Sequence, residues 1–206
     1  MNPAEIAQLL RSEPVRAVSF SVGGRRYGPV QYGRVADAMG DTILVETVDG
    51  GGPKSPSAYY SFTDPNRVTH DTLYVRRGAS LNRLIIQALI VHESTHVIQD
   101  MWGRSMNVID TEVAAYTAQA LYLARRGTTW AEVSVRARIE DEEVHRSPRN
   151  PRVDAIIEAA DRAAQRLTAG PPLLRPTEEQ ALRAAIIAHP YYAQRTAHVA
   201  DMDGVG

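Results

Sequence analysis

The sequence predicts an α+β chain, and three observations carry that prediction. Residues 1–80 hold short runs of two-residue alternation punctuated by glycine-rich turns. Beyond Ser80, apolar residues recur at helical spacing. Between them, Ala79 to Trp102 contains neither Gly nor Pro, so an uninterrupted helix fits there. At 206 residues the chain can bury a core as one domain, with 1–80 mainly β as an antiparallel sheet, 81–126 a helix pair and 127–200 helical.

The elements follow in order. Met1–Leu10 reads as an amphipathic helix, not as a cationic leader with a long apolar run. No signal peptide is therefore expected, and the location is cytoplasmic or reached by leaderless export. Val15–Val22 alternates and runs into Gly23-Gly24, a strand and its turn. Tyr27–Val35, Thr42–Val48 and Thr72–Arg76 are further strand candidates. Asp49–Ser57 is too rich in Gly and Pro for regular structure. Its triple glycine lacks a following G-K-[ST] and a helix, so it reads as a mobile surface loop and not a phosphate cradle.

The long helix should stop at Gly103, and Asp110–Leu123 should form a second one with an acid in its first turn. So short a connection makes the two antiparallel neighbours. Thr129 can cap a helix over Trp130–Val144, broken by the prolines near Arg146–Pro151. Val153–Leu167 is amphipathic and ends at Gly170-Pro171-Pro172. Thr177-Glu178-Glu179-Gln180 reads as a capping box for Ala181–Ala188, closed by Pro190, and Asp201–Gly206 reads as a frayed end.

Composition narrows the partners. Net charge is −1 with both signs mixed along the chain, so no basic stripe exists to track a phosphate backbone and nucleic acid is not expected. Cysteine is absent, which removes disulfides, thiolate metal sites and a cysteine nucleophile. The longest apolar stretch, near Leu84–Val97, is interrupted by Gln87, His92 and Glu93, so no membrane span is expected. Twenty-two arginines against the single Lys54 suggest a GC-rich bacterial genome.

The most informative residues are His92-Glu93-Ser94-Thr95-His96, an H-E-x-x-H run inside the long apolar helix. The chain has 6 histidines and 12 glutamates, and shuffling them would produce this pattern in roughly 1% of chains. On a helix the two histidines lie one turn apart on one face and can share a metal ion, while Glu93 stands about 100° away beside that face. Two neutral imidazoles bind Zn²⁺ without cancelling its charge, and the carboxylate is placed to take a proton from the metal-bound water. A third protein ligand is needed. Glu112 stands about as far beyond the helix break as His96 stands before it, so the two reach similar heights across an antiparallel pair. One Zn²⁺ per chain on His92, His96 and Glu112 is the expected site.

His92-Glu93-Ser94-Thr95-His96-Val97-Ile98-Gln99 followed by Glu112-Val113-Ala114-Ala115-Tyr116 resembles the gluzincin class of zinc metallopeptidases. It is most similar to small bacterial members with an H-E-x-x-H-x-x-Q helix and an E-x-x-A-Y run. The resemblance spans Leu81 to Leu123. It implies a zincin-like fold, peptide-bond hydrolysis of a peptide or protein substrate, zinc on His92, His96 and Glu112, and Glu93 as general base. One departure stands out. Thermolysin-like members carry an aspartate four residues after the ligand glutamate to orient the first histidine, and here that position is Tyr116. Asp100 or Asp110 would have to supply the carboxylate that ligating imidazoles usually meet.

For the group that stabilises the oxyanion, Tyr116 is one candidate, and Tyr191-Tyr192 between His189 and His198 is another. His70, His145, His189 and His198 form no second metal-spaced pair. In metallopeptidases of this architecture an edge strand beside the metal helix receives the substrate, and His70–Arg76 is the expected one. The alternative to an enzyme is a zinc-binding regulatory or interaction module with a vestigial peptidase site.

Overall fold

A computed structural model of the chain describes residues 1–49, 58–61, 71–140, 150–200 and 202. Its architecture is α+β and mostly helical, with small sheets. Helix α1 (Pro3–Leu10) opens on a reciprocal cap: the Glu5 N–H donates to Asn2 Oδ1 at 3.0 Å, and the Asn2 N–H donates to Glu5 Oε2 at 2.7 Å. The expected strand over Val15–Val22 is instead helix α2 (Glu13–Arg16) followed by β1 (Phe20–Val22). Pro14 fits the first turn of a helix because its missing N–H has no partner to lose there. β1 pairs with β2 (Arg25–Tyr27) across Gly23 and Gly24, both at positive φ, as a two-residue hairpin turn of that kind requires.

The second correction is larger. Tyr27–Val35, expected as a strand, is mostly helix α3 (Pro29–Ala38). Pro29 starts it, and Tyr32, Val35 and Ala36 bury one face at helical spacing. The N-terminal part is thus not mainly β. Nor is its main sheet antiparallel throughout: β3 (Leu44–Val48) runs parallel to β5 (Thr72–Arg76), and β4 (Ala58–Ser61) runs antiparallel to it. The order β3-β5-β4 puts β5 in the middle, so the strand expected to offer a free edge has both edges paired. Among the described residues β4 is the edge nearest the long helix.

That helix is α4 (Leu84–Asp100), and α5 (Val108–Arg125) follows it. Gly103, at φ 55°, ends the first run as expected. Three contacts fix the pair as antiparallel: Gln87 with Tyr122, His96 with Glu112, and Gln99 with Thr111. α5 then packs its alanines against α7 (Pro151–Ala169), whose Ala159, Ala160, Ala163 and Ala164 are also buried. Small side chains on both faces let the two backbones approach closely.

Between them lies α6 (Trp130–Glu140), capped by Thr129 as expected: Thr129 Oγ1 accepts the Glu132 N–H, and Glu132 Oε2 accepts the Thr129 N–H. α8 (Pro176–Ala188) begins slightly before the expected box. Pro176 is its first residue, and Glu178 reaches back to the Arg175 N–H at 2.9 Å. Short α9 (Pro190–Ala193) and β7 (Val199–Ala200) close the chain, with β7 pairing antiparallel to β6 (Met106–Asn107) in the α4–α5 connection. The loop after Asp49, the end of the Thr129-capped helix, His70, His145 and Asp203–Gly206 lie outside the described residues. No described helix is long and apolar enough to cross a membrane.

The start of α6 is held from outside. Asp161, buried on α7, accepts the Trp130 N–H at 2.8 Å and the Ala131 N–H at 3.0 Å, satisfying two donors that the helix itself leaves open. Asp161→Ala should therefore lower unfolding free energy by about 1–3 kcal/mol in denaturant titration. An unchanged midpoint would show that the contact contributes nothing to stability.

Candidate metal centre

α4 carries polar groups on a face that faces protein. His92, Glu93, Gln99 and Asp100 are all buried. Groups of this kind are costly in an interior unless each finds a partner, so the partners define the site. Across the seam with α5 stands Glu112. Its Oε2 is 3.5 Å from His92 Nε2, and its Oε1 is 3.7 Å from His96 Nε2. The side chains of the three are only 7%, 12% and 14% exposed. Among the described residues they form the one group of three or more able to hold a metal ion, with ligand atoms all within 4.8 Å of one another.

The spacing suits an ion better than it suits direct hydrogen bonds. Bonds of about 2.0–2.1 Å at tetrahedral angles set neighbouring ligand atoms roughly 3.3–3.4 Å apart, near the 3.5 and 3.7 Å between the Glu112 oxygens and the two imidazoles. Hydrogen bonds would draw nitrogen and oxygen to about 2.7–3.2 Å. Glu112 Oε2 is buried with no hydrogen-bond partner among the described residues, which leaves a carboxylate oxygen aimed at an imidazole without a donor. Two imidazole nitrogens and a carboxylate are also a donor set that zinc accepts, with a fourth position left for water or substrate. The residues present fit the ion.

The electrostatics point the same way. Burial pushes the Glu112 carboxyl up, yet the two imidazoles and the Tyr192 hydroxyl outweigh it and hold the group below the usual carboxylate range. Glu93 behaves oppositely. Burial raises its carboxyl to about 7 with Glu112 adding to the rise, against the pull of His96 and of the Tyr60 N–H. That N–H comes from β4 and meets Glu93 Oε2 at 2.9 Å, so the edge strand aims a backbone donor at the carboxylate next to His92. The Tyr60 hydroxyl donates to Asp100 Oδ2 at 2.7 Å, so one residue grips α4 at two points seven residues apart.

Tyr116 lies beside His92: the rings meet edge-on at 4.7 Å, and Trp130 stacks on its far side at 5.5 Å. Its hydroxyl lies 2.8 Å from that of Tyr192 on α9. The two tyrosines named as separate candidates for the oxyanion thus share one hydrogen bond. Burial raises both phenols well above their ordinary value.

Neither aspartate serves as the expected partner of an imidazole. Asp100 accepts from Tyr60, and Asp110 pairs with Arg183 of α8 at 2.5 Å. The partner of His96 Nδ1 is Gln99, at 2.9 Å, while His92 Nδ1 is buried without a hydrogen bond among the described residues. His189 lies against Asn150, and His198 is exposed on the connection to β7. Gln99, which the sequence reading quotes in the motif but gives no role, had a visible signal, one helical turn past His96 on the same face. Tyr60, which the sequence reading overlooks, had no such signal, since only the sheet brings it there.

Comparison with protein-family models, with curated proteins and with solved structures finds no match for this chain.

Purified without chelator, the protein should carry about one zinc per chain, or take it up on addition. His92→Ala, His96→Ala and Glu112→Ala should each empty the site, whereas Asp110→Ala should leave it filled. Elemental analysis decides between them, and loss of zinc from the Asp110 variant but not the Glu112 variant would show that the wrong carboxylate has been assigned.

Proposed function

We propose that this chain is a zinc-dependent peptidase with a zincin-like active-site arrangement. The observation that carries the reading is the convergence of His92, His96 and Glu112 across the α4–α5 seam, with Glu93 adjacent on the same helix. His92, His96 and Glu112 would hold the ion. Bound there, zinc would supply Lewis acidity to a substrate carbonyl and lower the pKa of a water in its open position.

The chain's own residues do the rest. Glu93 takes a proton from the attacking water and returns it to the leaving amine, which is general base and then general acid work. The Tyr60 N–H fixes one of its oxygens, so the carboxylate is oriented before substrate arrives. Tyr116 and Tyr192 offer a hydroxyl pair on the far side of His92 for the developing oxyanion. Among the described residues β4 is an end strand of its sheet and lies beside Glu93, a place where an extended peptide could lie along the sheet, which supports a peptide or protein as the substrate.

One observation favours the other reading, a zinc-binding interaction module with a vestigial site. Glu93 already has a structural duty, the hydrogen bond to the β4 backbone. Glu93→Gln separates the two because the amide oxygen can still accept the Tyr60 N–H while the base is gone. Under the peptidase reading, this variant keeps its zinc and its melting temperature, and cleavage of an unstructured casein-type substrate falls by about 10²–10⁴-fold. Cleavage equal to wild type would remove Glu93 from the mechanism. Zinc-loaded wild type that cleaves nothing would favour the interaction module.

A further inference from the structure

We infer that Gln99 is a positioning residue: it locks the His96 ring in the tautomer whose Nε2 lone pair faces Glu112. The inference rests on the metal reading above and concerns this chain's own hydrogen bonds. A neutral imidazole has one N–H and one bare nitrogen, and only the bare one can bind a metal. Which nitrogen is bare depends on what the other meets.

The side chain of Gln99 is fully buried, and its amide can point only one way. One end lies 3.0 Å from the Thr111 carbonyl oxygen and 3.2 Å from the Tyr27 hydroxyl. A carbonyl oxygen can only accept, so that end is the NH₂ group. The other end, 2.9 Å from His96 Nδ1, is therefore Oε1, which also can only accept. His96 Nδ1 must then carry the hydrogen, and Nε2 is left bare, 3.7 Å from Glu112 Oε1. A flipped amide would set NH₂ against Nδ1 and oxygen against oxygen at Thr111.

The same amide ties the second histidine of α4 to the backbone of the residue just before Glu112. One side chain thus fixes both the ring's tautomer and its height relative to the third ligand. Tyr27 anchors the arrangement from the N-terminal part, where its ring stacks on Phe20 at 5.0 Å and meets Trp102 edge-on at 5.1 Å. His92 has no such lock among the described residues, so the burden of ring orientation falls on His96 and Gln99.

Three proteins test this: wild type, Gln99→Met, which keeps length and loses the hydrogen bonds, and Gln99→Glu, which as the buried neutral acid keeps an acceptor for Nδ1–H and an O–H donor for the Thr111 carbonyl. The first readout is ¹⁵N NMR of the histidine rings in zinc-free protein at about pH 8, where imidazoles are neutral. His96→Ala assigns the signal. Wild type should show His96 protonated on Nδ1, Gln99→Met should shift it toward Nε2–H, and Gln99→Glu should bring it back. The second readout is zinc affinity by chelator competition, which should weaken about 10–100-fold in Gln99→Met and recover in Gln99→Glu. His96 protonated on Nε2 in the wild type overturns the inference, and so does a Gln99→Met protein with unchanged tautomer and affinity. Failure of the wild type to bind any zinc would instead fail the metal reading, and the zinc-free spectra keep the two outcomes apart.

Discussion

Everything at this site depends on a carboxylate buried between two imidazoles. Glu112 sits in the seam of two helices, where water is scarce, and an ionised carboxylate moved there without compensation costs several kcal/mol. The imidazoles help, but at 3.5 and 3.7 Å they stand farther off than hydrogen-bonded partners would. A divalent ion held there would satisfy the carboxylate and both nitrogens together. The helix pair is thus organised around a buried carboxylate that the two imidazoles and the Tyr192 hydroxyl stabilise.

The rest of the fold holds that seam in register. Gln87 with Tyr122 fastens one end of the α4–α5 pair, and Gln99 with Thr111 fastens the other, so neither helix can slide a turn without breaking buried hydrogen bonds. Behind Tyr116 stands Trp130, whose position follows from the Asp161 cap on α6. The last strand returns to pair with Met106 and Asn107, which keeps α9, and with it Tyr192, close to the site. On the opposite flank Tyr60 binds α4 through backbone and side chain together. Elements far apart in sequence converge on one turn of helix, each through a nameable contact.

How much of this is legible in the sequence follows the range of the interactions. The α4 helix and its two paired histidines can be read directly, because H-E-x-x-H on a Gly- and Pro-free stretch is a local pattern. The hairpin at Gly23-Gly24, the stop at Gly103 and the cap at Thr129 are local too. Tyr27–Val35 deceives because its aromatic and β-branched residues favour strands, while the deciding signals are Pro29 and the spacing of Tyr32, Val35 and Ala36. β4 is four residues, preceded in the sequence by a Gly/Pro-rich run, too short to announce itself, and its place as an end strand is a non-local outcome. That is why, among the described residues, Ala58–Ser61 and not the strand before α4 is the end strand beside the long helix. The partner of His96 is an amide where a carboxylate is expected, since Asp100 and Asp110 are claimed by Tyr60 and Arg183.

The central claim is that one metal ion sits on His92, His96 and Glu112, and the most direct measurement is anomalous diffraction at the zinc edge from crystals of zinc-loaded protein. The account predicts one peak per chain in the α4–α5 seam, about 2.0–2.1 Å from the Nε2 atoms of His92 and His96 and about 2.0–2.2 Å from a Glu112 oxygen. A peak elsewhere, a different third ligand, or an empty seam with Glu112 paired only to the imidazoles would contradict it.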